Sequence, residues 1–297
     1  MVTISNFIGA AALTPPAPSA AAIDDSAASE KQSRLLESLR GLPSLLVAFS
    51  GGADSAYLAW AAHAALGQRA LAVTALSASY SQHDREQAEA LVRAAGLRHE
   101  FIETREFENP LYLANNADRC YHCKNELFSR LSALAARRGF SAIAYGINAD
   151  DTQDFRPGHR AAHEHRILAP LLDARLAKAE IRTLSRRAAL PTWDRPASAC
   201  LSSRVPYGIQ VTPEILARIE RAESALRAME FRQVRVRAHA SIASVEIAPN
   251  ELARALEPAI TRQIADRVKA AGFAAAEIDP AGYRQGSLNS LLKKKNE

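Results

Sequence analysis

The sequence holds only three cysteines, no apolar run long enough to cross a membrane, and no match to two common phosphate-binding motifs. An odd number of cysteines cannot close into a complete set of intramolecular disulfides. A disulfide-held secreted scaffold is therefore excluded, and reduced thiols or thiolate ligands are the expectation. The Ala-rich stretches are broken by His, Arg or Gln, well short of the ~18–20 apolar residues that a spanning helix needs. The absence of G-x-x-x-x-G-K-[ST] and G-x-G-x-x-G removes the ordinary P-loop and dinucleotide-binding readings. There is no internal repeat. Residues 1–32, rich in Ala, Pro and Ser, lack the basic start and apolar core of a secretory signal. They read as a flexible extension, and the protein as soluble and cytoplasmic.

What is present is the composition of an ordinary globular protein, 48% hydrophobic and 23% charged over 297 residues, long enough for one full α/β domain and a smaller partner. The formal charge of +5 suits an anionic small substrate such as a nucleotide as well as it suits nucleic acid, so charge alone does not choose. The terminal Lys293, Lys294 and Lys295 read as a solvated end rather than a nucleic-acid arm.

From Leu45 the pattern alternates. A short apolar strand (45–49) leads through a glycine turn into an Ala-rich helix beginning near Ala53. A strand (70–76), a helix closed by Gly96, a strand (99–102), a helix from Cys120 to Gly139 and a strand (142–145) follow. Such alternation implies a parallel sheet. In parallel sheets ligands lie beyond the carboxyl ends of the strands, where Ser50 to Ser55 and Asn148 to Asp151 both fall. Pro191, Pro196, Pro206 and Pro213 punctuate a passage read as an interdomain link. Thr212-Pro213-Glu214 opens a helix. Two alternating strands, further helices and a last strand (274–278) complete a small α+β unit. The expected domains are thus 33–190, a linker 191–211 and 212–297.

The segment Ser50-Gly51-Gly52-Ala53-Asp54-Ser55 joins an apolar strand to a helix. Its amides and the helix N-terminus converge on one point with partial positive charge, which is where an anion binds. The glycines let the backbone approach phosphate oxygens closely, and Ser50 and Ser55 add hydroxyl donors. Asp54 is out of place beside an anion unless it orients the loop or meets a metal ion that bridges to phosphate. A plain glycine turn capping a helix is the blander alternative.

This run resembles the SGGxDS signature of the PP-loop ATP pyrophosphatases. The resemblance implies a HUP-like, adenine nucleotide alpha hydrolase domain that splits ATP into AMP and pyrophosphate. The stretch from Gly146 to Gly208, above all Pro196-Ala-Ser-Ala-Cys200-Leu-Ser-Ser-Arg204, resembles the LarE family more closely. So do Cys120-Tyr-His-Cys123-Lys124, Arg235-Val-Arg237 and Glu246. The resemblance covers nearly everything from about Leu45 to Gly286. It implies an ATP-dependent sulfur transferase of nickel-pincer cofactor biosynthesis: a carboxylate of pyridinium-3,5-biscarboxylic acid mononucleotide is adenylylated, and a sulfur nucleophile displaces AMP. Mg²⁺ on the phosphates would neutralise charge as pyrophosphate leaves. In the family's simplest members the cysteine matching Cys200 surrenders its own sulfur.

Here Cys120 and Cys123 accompany Cys200. Three thiolates can hold a [4Fe-4S] cluster with one iron open for an extra sulfide, and the resemblance implies this use. Zinc, with His122 or a distant His as fourth ligand, and three unrelated reduced thiols are the alternatives left open by spacing alone. Arg235 and Arg237 lie two apart on a strand and so face one side, where they could grip the phosphate of a mononucleotide; an exposed basic face is the alternative. Glu246 resembles a family carboxylate that could bind a metal, or is a surface charge. Arg204 could steady phosphate or AMP, or form a structural ion pair. Asn148, Asp150, Asp151 and Asp154 could hold Mg²⁺ or turn their loop. His63, His99, His163 and His165 show no ligand spacing and read as ordinary surface residues. A homo-oligomer is implied by the resemblance, and the sulfur donor is left unspecified. A tRNA thiolase, an amidotransferase-type synthetase and a nucleotide-binding regulator without turnover are the rival functions. No RNA-binding extension or glutaminase is visible, and neither nucleic-acid nor membrane partners are expected.

Overall fold

The computed structural model describes residues 25–153, 157–196 and 198–284. Residues 1–24, Asp154, Ala197 and the Lys293 to Lys295 tail lie outside the described residues. In chain order the first elements are α1 (Asp25–Arg40), β1 (Leu45–Ala48), α2 (Ala53–Leu66), β2 (Ala70–Leu76), α3 (Gln82–Ala94) and β3 (His99–Glu103). Next come α4 (Pro110–Leu113), α5 (Arg119–Arg138), β4 (Ala142–Tyr145), α6 (Gly158–Glu164), α7 (Pro170–Asp173) and α8 (Lys178–Arg187). The chain then forms α9 (Pro213–Arg227), β5 (Val234–His239), β6 (Ile242–Ile247), α10 (Pro249–Ala255), α11 (Pro258–Ala270) and β7 (Ala275–Ile278).

β1 to β4 make one parallel sheet in the order β3-β2-β1-β4. Leu45 stands opposite Ala70 on one side and Ala142 on the other. Every residue of β1, Leu45-Leu46-Val47-Ala48, is buried. A strand apolar at each position must be covered on both faces, and crossover helices of a parallel sheet do this. α2 is apolar nearly all round, burying Ala56, Tyr57, Leu58, Ala59, Ala61 and Ala62, because it is itself packed between the sheet, α1 and α8. On the other face Phe128, Leu131 and Leu134 of α5 meet Leu46, Leu71 and Val73. Each such side chain contributes about 1.5–3 kcal/mol through burial.

One expectation is corrected. The extension read over 1–32 is helical from Asp25 onward, and α1 buries Ala28, Leu35 and Leu39. Its overall polarity masked three apolar residues on one helical face, which pack in the same core as α2.

The second sheet has the order β5-β6-β7, antiparallel between β5 and β6 and parallel between β6 and β7. Val234, Val236 and Ala238 alternate toward Leu216, Ile219 and Leu226 of α9 and Val268 of α11. Thr212 caps α9, its Oγ1 accepting from the Ile215 amide at 3.3 Å, with Pro213 in the first turn. Tyr112, Leu201, Val205 and Val211 are buried in this same second core. The proline-punctuated passage and α4 therefore press against the smaller sheet.

Candidate active site

β1 delivers Ser50 to the carboxyl edge of the sheet. Gly51 has φ +74°, and a Cβ there would stand 3.1 Å from the Ala88 Cβ, so both conformation and space call for glycine. The two serines lock the turn: Ser55 Oγ receives the Ser50 amide at 3.2 Å, donates to the Gly52 carbonyl at 3.1 Å and lies 3.1 Å from Ser50 Oγ. Gly146, at the end of β4, packs directly on the first turn of α2. A Cβ at Gly146 would fall 2.7 Å from the Ser55 nitrogen and 3.0 Å from the Asp54 carbonyl carbon. The two loops singled out in the sequence thus meet edge to edge.

Asp54 Oδ2 pairs with Lys178 Nζ at 3.1 Å, and the Lys178 amide donates to Asp150 Oδ2 at 2.8 Å. Asn148 and Asp151 shape their own loop: the Asn148 amide donates to Asp151 Oδ2 at 3.2 Å, and the Asp150 amide to Asn148 Oδ1 at 2.9 Å. Asp54 Oδ1 and Asn148 Nδ2 are buried with no hydrogen-bond partner among the described residues. Such orphans are uncommon in a folded interior.

The Cys200 segment is tied across this edge. Arg195 Nη1 donates to the Gly51 carbonyl at 2.8 Å and Nη2 to Asp84 Oδ1 at 2.6 Å. Ser198 Oγ donates to the same carboxylate, and the Leu201 amide donates to the Ser79 carbonyl at 2.9 Å. Cys120 and Cys123 occupy the first and second turns of α5. Arg119, beside them, donates to the Ser202 carbonyl at 2.8 Å, while Tyr112 Oη and Ser202 Oγ lie 2.7 Å apart. Asn115 Nδ2 donates to the carbonyls of Pro206 and Ile209, both at 2.8 Å. These bonds seat the Cys200 segment against the start of α5, near enough for Cys200 and Cys120 both to act on the Arg119 charge. Cys120 and Cys200 are exposed and Cys123 is partly buried. Burial pushes the Cys123 thiol up, and the neighbouring Lys124, Glu106, Cys200 and Cys120 add smaller effects of both signs. Burial disfavours the Arg119 charge, but Cys200, Cys120, Tyr112 and Tyr207 together outweigh it and hold the guanidinium above its ordinary value. No group of three or more His, Cys, Asp or Glu side chains converges as a metal-holding set among the described residues.

No family model matches the chain. An uncharacterized protein of Synechocystis is 40% identical over 263 residues, 87% of this chain and 98% of its own. An uncharacterized protein of Methanocaldococcus jannaschii is 30% identical over 135 residues, 46% of this chain and 53% of its own. The pyridinium-3,5-bisthiocarboxylic acid mononucleotide synthase of Lactiplantibacillus plantarum is 31% identical over 266 residues, 89% of this chain and 95% of its own. The chain belongs to the LarE family.

In this LarE chain three residues expected to face ligands are turned into ion pairs. Arg204 is 1% exposed. Its Nε and Nη2 donate to Glu223 at 2.8 and 3.1 Å, and its Nη1 to the carbonyls of Ala199 and Cys200. It therefore takes the structural alternative, because a guanidinium buried this deeply needs a carboxylate to offset its desolvation. Arg237 donates to Glu246 at 3.0 and 2.9 Å and to the Ser203 carbonyl at 2.6 Å. Glu246, expected as a metal ligand or a surface charge, is buried in that pair. Arg235 and Arg237 do share one face of β5, but it is covered: both are buried, and Arg235 lies over the Tyr283 ring. Burial, reinforced by the nearby Arg204 charge, lowers Arg235 to about 10.

Sequence reasoning missed Lys178, Arg195, Asp84, Arg119 and Glu223. Only Asp84 had a local signal, since Ser81 caps α3 three residues ahead of it. The others are remote partners whose roles depend on contacts 19 or more residues away.

Proposed function

We propose that this LarE protein is an ATP-dependent sulfur transferase that converts a carboxylate of pyridinium-3,5-biscarboxylic acid mononucleotide to a thiocarboxylate for the nickel-pincer cofactor. The observation that supports it is the Arg195–Gly51 bond, which ties the segment leading to Cys200 to the Ser50–Ser55 turn, a helix start of the kind that suits an anion. In the reaction a substrate carboxylate oxygen attacks the α-phosphorus of ATP and the bond to pyrophosphate breaks. A sulfur nucleophile then attacks the acyl carbon and AMP leaves. Ser50, Gly51, Gly52 and Ser55 receive the departing pyrophosphate. The orphaned Asp54 Oδ1 is a ligand of the kind Mg²⁺ prefers, and Asn148 Nδ2 is a free donor for a nucleotide oxygen. Asn148 and Asp151 otherwise hold the neighbouring loop in shape. Arg204 positions the Cys200 backbone, and the buried Arg237–Glu246 pair anchors the Ser203 carbonyl beside it.

Cys120, Cys123 and Cys200 are the thiolates that would hold a [4Fe-4S] group, which would supply an iron with an open position to carry sulfur, although among the described residues their side chains do not converge as a metal-holding set. Residues 25–190 serve the nucleotide, 191–211 carry the thiol segment, and 212–297 serve substrate binding and self-association. We place the protein in the cytoplasm; no helix is long and apolar enough to cross a membrane among the described residues. Pyrophosphate release that depends on the biscarboxylic mononucleotide, with iron content and visible absorption of anaerobically purified protein, tests the reading. Release indifferent to that acceptor would sink the substrate assignment, and colourless, iron-free, fully active protein would sink the cluster.

A further inference from the structure

The phosphate turn and the thiol segment are connected by one continuous set of charge-assisted hydrogen bonds. Its first link is the Gly51 carbonyl, which accepts from Arg195 Nη1 at 2.8 Å. The other arm of the same guanidinium donates to Asp84 Oδ1 at 2.6 Å, and both side chains are only 14% exposed. Asp84 in turn accepts from Ser198 Oγ at 3.1 and 3.3 Å, two residues before Cys200. The carboxylate is itself held in place. It accepts from Ser81 Oγ at 2.7 Å, and the Asp84 amide donates back to Ser81 Oγ at 3.0 Å. It also sits in the first turn of α3, where the helix dipole favours a negative charge. On the far side of Cys200 the Leu201 amide is anchored to the Ser79 carbonyl at 2.9 Å, just upstream of the same helix. The guanidinium fork is rigid, so Gly51 and Asp84 cannot move independently while Arg195 holds both.

A second feature makes the turn able to signal. Tyr80 Oη lies 3.2 Å from both the Ser50 and the Asp84 carbonyl oxygens and donates to one or the other, so this single phenol bridges the turn to the first turn of α3. An anion that draws the Gly51–Gly52 amides toward itself rotates the peptide carrying the Gly51 carbonyl, and that carbonyl is the acceptor for Arg195.

We infer that Asp84 is a positioning residue which, through Arg195 and Ser198, couples occupancy of the Ser50–Ser55 turn to the placement of the Cys200 segment. This rests on the reading of the turn as an anion site. The coupling orders the reaction: the thiol segment, already tied to Asp84 and Gly51, is held more tightly when phosphate fills the turn. By linkage, ordering that segment strengthens phosphate binding by the same factor.

Hydrogen exchange of the full-length protein, with and without magnesium pyrophosphate, tests it. Peptides covering 50–58 report occupancy of the turn. Peptides covering 198–205 report the segment, where the amides of Leu201, Ser203 and Val205 are hydrogen-bonded. In the wild type pyrophosphate should slow exchange in both regions, by about fivefold or more in the segment. In Asp84→Ala and Arg195→Ala the turn should still be protected, while protection of the segment falls below about twofold. The double variant should be no worse than either single one, as for residues acting in one chain of contacts. Ser198→Ala, which removes one hydroxyl and leaves the Arg195–Asp84 pair, guards against misfolding and should also lose the segment response. Segment protection that survives in all three single variants means pyrophosphate touches the segment directly, and overturns the coupling. No protection at 50–58 in the wild type overturns the anion reading and the coupling with it.

Discussion

Lys178 Nζ stands 3.1 Å from Asp54 Oδ2, bringing the first residue of α8 to the phosphate turn across 124 residues of chain. The same lysine binds Asp150 through its backbone amide at 2.8 Å. It therefore fixes the separation between the loop after β1 and the loop after β4, the two walls of the proposed nucleotide site.

Asp54→Ala and Ser55→Ala should each lower pyrophosphate release by about a hundredfold or more, as loss of a preorganised electrostatic group does. Lys178→Ala should lower it less, with a melting temperature close to wild type, since a pair this accessible is worth about 0–1 kcal/mol. A release assay beside thermal melts checks all three. Wild-type release from a folded Asp54→Ala, Ser55→Ala double variant would remove the pyrophosphatase reading.

Gly146→Ala places a methyl group 2.7 Å from the Ser55 nitrogen, in backbone that has no room to retreat. Overpacking of this kind costs about 1–3 kcal/mol. The strain should fall on the phosphate turn, so KM for ATP should rise as melting temperature drops. An unchanged KM would show that the two loops are not in register during turnover.

Glu223 predicts an acid-sensitive element. Burial pushes its carboxyl up, but the charge and hydrogen bonds of Arg204, with Arg235 and Arg227, outweigh burial and bring it from the ordinary 4.5 to about 2. A carboxylate whose folded value is depressed stabilises the fold fully above its unfolded value. That stability is lost as pH falls from about 4.5 to about 2. Glu223→Gln leaves the Arg204 charge buried without its partner and should cost about 3–5 kcal/mol at neutral pH. Denaturant titrations should show the gap between wild type and variant closing across that acid window. A constant gap would mean that Glu223 is not ionised in the folded protein.

The thiols separate two sulfur mechanisms by mass. With a cluster on Cys120, Cys123 and Cys200, the polypeptide mass should be unchanged after turnover. Cys120→Ala or Cys123→Ala should then disable sulfur transfer as severely as Cys200→Ala, with AMP formation intact in all three. Conversion of Cys200 to dehydroalanine by a Cys120→Ala, Cys123→Ala variant would show a sacrificial cysteine instead.

Local sequence determined much of this protein. The buried run Leu45 to Ala48, the Ser50–Ser55 turn and the Thr212-Pro213 cap each carry their instruction within a few residues, because strand burial, glycine turns and helix caps are short-range physics. The alternation that followed from them set the parallel sheet, and the sheet set which loops share an edge. Tertiary structure alone decided what the charged residues do. Arg235 and Arg237 were correctly placed on one face, but only the packing over β5 shows that face to be covered. Arg204 reads as a ligand for phosphate until Glu223, 19 residues onward, is brought against it in a dry interior. Lys178 and Arg195 carry no motif at all and reach Asp54 and Gly51 across more than a hundred residues. A long cationic side chain can serve solvent, a carboxylate or a ligand equally well, so its partner is chosen by which groups the fold buries beside it.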